Sequence, residues 1–159
     1  MTLAETLQPR LDGWAPSGRG RHSWTEAFPE AGWTIHLAAD KNDSLSTLVW
    51  EMTLVRRNDA PANFTLKAWA DGIAARVSGL REDVRVIEID DIANEALLRS
   101  DDPTRKGELA SYYELRLTGL TQAVLRRFQA NTTTHARREQ VPFAVTHEVL
   151  ADVASQIAG

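Results

Sequence analysis

"LVWEMTLVRRNDAPANFTLKAWADGIAARVSG", residues 48–79, changes its hydrophobic period halfway along, and that change sets the fold class. In its first part Leu48, Trp50, Met52 and Leu54 fall on one side of an extended chain, with Glu51 and Thr53 on the other. Period two with polar residues between is the pattern of a half-buried strand. From Leu66 onward Leu66, Trp69, Ile73, Val77 and Leu80 recur at spacings of 3, 4, 4 and 3. That is a single helical stripe, with Pro61 suited to its entry and Gly79 to its exit. Gly72 inside the stripe costs about 1 kcal/mol against alanine and marks a point of close packing one turn before Arg76. Strand face and helix stripe each need an apolar partner, so each is expected to bury against the other.

Working outward, "WTIHLAAD" alternates with Trp33, Ile35 and Leu37 on one side, and "DKND" supplies turn residues, so residues 33–55 read as a hairpin. "VRVIEID", "ALLRS" and "LASYYELRL" read as further strands. In the last, Ser111, Tyr113, Leu115 and Leu117 face away from Tyr112, Glu114 and Arg116. "TQAVLRRFQAN" fits a strand with Arg126 between Val124 and Phe128, or a helix joining Leu120, Val124 and Phe128. The hairpin-like "NTTTH" that follows favours the strand. Pro142 then requires an edge or the end of a strand. Thr146 is a good N-cap for a helix carrying Val149, Leu150, Val153 and Ile157. The expectation is an α+β fold: a mainly antiparallel sheet of six or seven strands with two amphipathic helices packed on one face. Residues 1–32 read as an N-terminal arm and loop, and 33–159 as a single α+β domain.

Composition narrows the function classes. The chain of 159 residues has no cysteine, which excludes disulfides, thiolate nucleophiles and cysteine-ligated metal sites. "MTLAETLQPRLDGW" lacks a basic start followed by an apolar run, so no signal peptide is expected, and no apolar run is long enough to span a membrane. A cytoplasmic location is the plain expectation. The net charge of −4 argues against a surface that attracts phosphate throughout. Charge is unevenly spread, however. Arg81–Asp102 carries eight acids and three arginines, whereas Arg105–Gln140 carries seven bases and three acids. Such segments pair across the fold, or give opposed patches that suit self-association.

Motifs for chemistry are sparse. His147-Glu148 lacks the second histidine of a zinc-protease helix, because position 151 is alanine. His22, His36, His135 and His147 are isolated, so neither metal nor cofactor is expected. No nucleophile elbow is present. Glu88 and Asp90 could share a strand face and hold a cation or do acid–base work, although acidic strand ends usually pair with arginine. "GWAPSGRGRHSW", residues 13–24, lacks the third glycine of a dinucleotide loop and the Gly-Lys-Ser/Thr of a phosphate loop. It reads as a surface loop pinned by Trp14 and Trp24, with Arg19, Arg21 and His22 as candidate binding groups. Arg126, Arg127, Arg137 and Arg138 form a second candidate set. On opposite arms of a hairpin they would repel unless they face apart or an anion lies between them, the protein's own acids being the first candidate.

These readings lead to a non-catalytic binding or adaptor domain, chaperone-like in acting through protein–protein contacts, and expected to be a homodimer. The comparison with small dimeric chaperones that escort secreted proteins is a fold-level analogy carried by no motif. One alternative is a small enzyme whose site is assembled from dispersed residues such as His22 or His36 with Glu88 and Asp90. Another is a nucleic-acid binder using residues 105–140. A large exposed apolar patch would favour the binding domain, a pocket where histidine and carboxylate converge the enzyme, and an unbroken arginine stripe nucleic acid.

Overall fold

A computed structural model describes residues 1–159. The elements in chain order are α1 (Leu3–Gly13), β1 (His22–Phe28), β2 (Trp33–Asn42), β3 (Ser46–Arg56), α2 (Leu66–Arg76), β4 (Val84–Asp90), β5 (Glu95–Ser100), β6 (Thr104–Lys106), β7 (Leu109–Thr118), β8 (Gln122–Asn131), β9 (Glu139–Val141), β10 (Phe143–Thr146) and α3 (His147–Ala158). The class is α+β, and every strand pair is antiparallel. The main sheet runs β1-β2-β3-β8-β7-β5-β4, with β6, β9 and β10 pairing to single strands beside it. The sheet therefore has ten strands rather than six or seven. The excess comes from β1, which the loop reading of residues 13–24 overlooked, from the three-residue β6, and from the division of the last expected strand into β9 and β10 at Pro142. Residues 122–131 are strand, and Pro142 sits between β9 and β10, where no ladder needs its missing N–H.

There are three helices rather than two, and the first 32 residues are not an arm. Helix α1 buries Leu3, Leu7 and Leu11 at spacings of four, and β1 pairs residue by residue with β2. Thr2 and Glu5 close a reciprocal capping box that starts the helix, and Pro9 is accommodated inside it. The three leucines join the same core as α2, α3 and the sheet. A boundary at residue 32 would cut through that core.

The core fills the space between the helices and one sheet face. Trp33, Ile35 and Leu37 of β2, Tyr113, Leu115 and Leu117 of β7, and Leu125 of β8 all point into it. Trp69 of α2 is at its centre, 1% exposed, and its indole Nε1 donates to the Ile157 carbonyl of α3 at 2.8 Å. Thr65 caps helix α2, its hydroxyl accepting from Ala68 N, so Pro61 lies in the turn ahead of the helix rather than in its first turn.

One expectation about the core is half right. Met52 and Leu54 are buried in the same core as the α2 stripe, but Leu48 and Trp50 are on the opposite face, and Thr47 and Val49 take their place inside. The cause is a β-bulge. Ala38 pairs with Glu51 and Ala39 with Val49, so Trp50 has no partner on β2. One extra residue in a strand of period two reverses every side chain beyond it.

Candidate interaction surface

The face that the helices leave uncovered carries three of the seven charged candidates, Arg21, Arg126 and Arg138. Across the centre of the sheet one register row reads Arg99 on β5, Glu114 on β7, Arg126 on β8 and Glu51 on β3. Strand alternation puts all four on the outer side, because Tyr113, Leu115, Leu125, Leu98 and Met52 beside them turn inward. The row is thus an alternating ladder of charge spanning four strands.

Its members differ in exposure. Arg126 Nε lies 2.8 Å from Glu51 Oε2, with the two side chains 37% and 35% exposed. The Glu114 side chain is only 6% exposed and is ringed by arginines. Arg99 Nε is 3.7 Å away, Arg116 Nη2 is 3.5 Å away, and Arg138 closes over it while also donating to the Tyr112 hydroxyl. Burial opposes the charge on Arg138, but its hydrogen bonds to Glu114 and Tyr112 win and hold its pKa above the ordinary guanidinium value.

Aromatic rings flank the ladder, each under a guanidinium. Arg21 lies 4.2 Å from the Trp50 ring centroid, Arg138 3.8 Å from Phe128 and Arg99 5.4 Å from Tyr112. Tyr112 and Phe128 are cross-strand neighbours with ring centroids 6.1 Å apart. Gln140 of β9 donates to the Trp50 carbonyl at 2.9 Å and holds the bulged segment in place.

The candidate residues thus separate. Arg21, Arg126 and Arg138 share the open face. Arg127, one residue from Arg126, points the other way and binds Glu82 through two hydrogen bonds of 2.9 and 2.8 Å inside the protein. Arg19 and Arg137 are in exposed loops and form no ion pair. His22 opens β1, its Nε2 3.2 Å from the Gly18 carbonyl. The loop itself is shorter than 13–24, since Gly13 ends α1 and His22–Trp24 belong to β1. Gly18 and Gly20, at φ of 86° and 99°, make the turn that other residues would strain. Trp14 and Trp24 do bracket it, with ring centroids 6.3 Å apart. The anion between the arginine pairs is the protein's own: Glu51 for Arg126, Glu82 for Arg127 and Glu114 for Arg138.

The acidic and basic segments also pair across the fold, through Arg127–Glu82, Arg116–Glu95 and Arg99–Glu114. His22 and His36 lie at the β1–β2 edge and Glu88 and Asp90 on β4 at the other, so that dispersed catalytic group does not assemble. A histidine and a carboxylate do converge elsewhere, at His147 and Asp12, but His147 is 2% exposed and both its ring nitrogens are engaged. No group of three or more histidines and carboxylates is arranged around a common point for a metal.

Sequence reading missed Glu51, Glu114 and Arg99, the partners that make the arginines a ladder. The alternation of charge along β7 and β8 was visible in "YELR" and "VLRRF", but the β3–β8 and β5–β7 registers were not. The chain matches no protein-family model, and no characterised protein or solved structure shows significant similarity to it.

Proposed function

We propose that this protein is a non-catalytic, protein-binding domain of adaptor or chaperone-like type, acting as a homodimer whose two copies meet through the uncovered sheet face. The observation that carries this reading is the order Arg99–Glu114–Arg126–Glu51. Read backwards, the row has the opposite sign at every position. A two-fold axis along the strands, passing between Glu114 and Arg126, sets Arg99 against Glu51 of the partner subunit and Glu114 against Arg126 of the partner subunit. Closed two-fold interfaces need this self-complementarity, and like charges opposed there would be repelled. Two sheets packed face to face keep their strands roughly aligned, which this axis also does.

Size and composition support the same reading. Seven strands of six to eleven residues, at ~4.8 Å spacing and ~3.3 Å rise, give a face of roughly 900 Å². A stable interface takes about 800 Å² from each partner. Trp, Tyr, Phe and Arg are the residue types enriched where interfaces concentrate their binding energy. Each arginine of the ladder already has a carboxylate, Glu51 for Arg126 and Glu114 for Arg99, which counts against phosphate as the occupant, since few guanidiniums remain to displace counterions.

The test is sedimentation of the parent and of Glu51→Lys, with urea unfolding as a control on folding. The parent is expected at twice the 17.7 kDa chain mass at micromolar concentration. Glu51→Lys sets lysine against Arg99 of the partner subunit, and it is expected to sediment as a folded monomer. A parent that stays at the single-chain mass at high concentration rules out the homodimer.

A further inference from the structure

A cleft of about 500 Å³ lies on the helix side of the sheet, between β10, the first turn of α3 and the connection from α2 to β4. Its volume falls within the range of small-molecule sites. Leu80, Phe143, Val145 and Val149 supply apolar wall, while Arg81, Tyr113 and Arg127 supply the polar groups. None of these belongs to the uncovered face, so the cleft is independent of the self-association above.

The polar end of the cleft is held firmly. The Arg127 side chain is 8% exposed, with its guanidinium 4.2 Å from the Tyr113 ring centroid. Glu82 takes two of its five donors in a fork, and Ser100 and Thr104 complete the shell around that carboxylate at 2.7 and 2.6 Å. Tyr113 packs edge-on against Phe143 at 5.4 Å. Its hydroxyl accepts from the Arg81 backbone N–H at 3.4 Å and keeps its own proton to donate. Arg81 is exposed at the mouth and has no carboxylate within ion-pair distance. Glu82 neutralises Arg127, so the unpaired positive charge of the cleft is that of Arg81.

We infer that this cleft binds a small apolar acid, its carboxylate held by the Arg81 guanidinium and the Tyr113 hydroxyl and its hydrocarbon part against Leu80, Phe143, Val145 and Val149. A guanidinium fork matches a carboxylate in shape and charge. One unpaired cation suits a monoanion, and the apolar wall suits an uncharged remainder.

The experiment is calorimetric titration of the full chain with octanoate, 1-octanol and octylamine, for the parent and for Arg81→Ala. Octanoate is expected to bind saturably at one site per chain, and the alcohol and amine about ten-fold more weakly, the difference of one charge-assisted hydrogen bond. Arg81→Ala is expected to lose about the same factor for octanoate only. Because the Tyr113 contact uses the backbone of Arg81, the variant should keep the parent's urea midpoint. No saturable octanoate binding, equal binding of octanol, or octanoate binding unchanged by Arg81→Ala would each overturn the assignment. So would capture of a peptide with a free C-terminal leucine by a protein that ignores octanoate.

Discussion

His147 Nδ1 lies 2.6 Å from Asp12 Oδ1, joining the first residue of the last helix to the end of the first helix across 135 positions of sequence. On the other side of the ring, Nε2 is 2.8 Å from Asn42 Oδ1. Asn42 donates its amide to the Leu11 and Trp14 carbonyls at 2.8 and 2.6 Å, which turns its oxygen toward the histidine. The three side chains thus tie α1 to α3 and to the end of β2. Removing the carboxylate by Asp12→Ala leaves a buried ring nitrogen without its acceptor. The expected cost is about 1–3 kcal/mol. Faster amide exchange across Leu3–Gly13 should accompany it, and an unchanged exchange pattern would show that α1 is held by its leucines alone.

Trp69 is expected to be the most costly single truncation in the core. Trp69→Ala removes a buried indole and leaves the Ile157 carbonyl without its donor. The loss should be about 3–5 kcal/mol in urea unfolding. A midpoint equal to the parent's would contradict the packing of α2 on the sheet.

Gly72→Ala should be stabilising. A Cβ at this position would meet Arg76 Nη1 at 2.5 Å, but that atom is the far end of a flexible side chain. Moving it sacrifices one bond, from Arg76 Nε to the Gln156 carbonyl at 3.0 Å, on the exposed side of the helix. Against that, alanine gains about 1 kcal/mol of helix propensity over glycine. A small rise in urea midpoint is expected, and a fall would mean that Arg76 clamps α2 to α3 more tightly than its exposure suggests.

Acid stability should depend on Glu82. Burial alone would raise its pKa, but hydrogen bonds from Arg127, Thr104 and Ser100 overcome burial and hold it below the ordinary carboxylate value. A folded-state value below the unfolded one means that the stabilisation is complete above the unfolded value, about 4.3. It is then lost as pH falls through the lower, folded-state value. Glu82→Gln should therefore flatten the acid limb of stability against pH. At neutral pH it should cost about 3–5 kcal/mol, because Arg127 is left buried without its counter-charge. An acid limb identical to the parent's would place the acid sensitivity elsewhere.

Self-association through the charge ladder should weaken with salt. Arg99, Arg126 and Glu51 are each more than a third exposed in the single chain, so ions compete for them there. The Debye length falls from about 10 Å at 0.1 M salt to about 3 Å at 1 M. The dimer dissociation constant is expected to rise over that range, and association strengthened by salt would indicate an apolar interface instead.

Most of the architecture was legible in the chain itself. Helix α2, α3 and strands β2, β4, β5 and β7 follow from local periodicity, because burying one face constrains residues only a few positions apart, whereas β8 needed the turn residues after it to decide between strand and helix. Helix α1 was also encoded, in Leu3, Leu7 and Leu11 after the Thr2–Glu5 capping pair, but Pro9 and the glycine-rich stretch beyond it disguised the signal. What the sequence could not determine is whatever depends on register between distant strands. The bulge at Trp50 arises from the pairing of β2 with β3, and it alone moves Leu48 and Trp50 to the outer face. The ladder needs β3 beside β8 and β5 beside β7, contacts between segments up to 75 positions apart. Arg126 and Arg127 are adjacent in the chain, yet strand alternation sends one to the open face and the other to Glu82 in the interior. Periodicity is a local property of the backbone, whereas a charge acquires its partner only when the sheet closes.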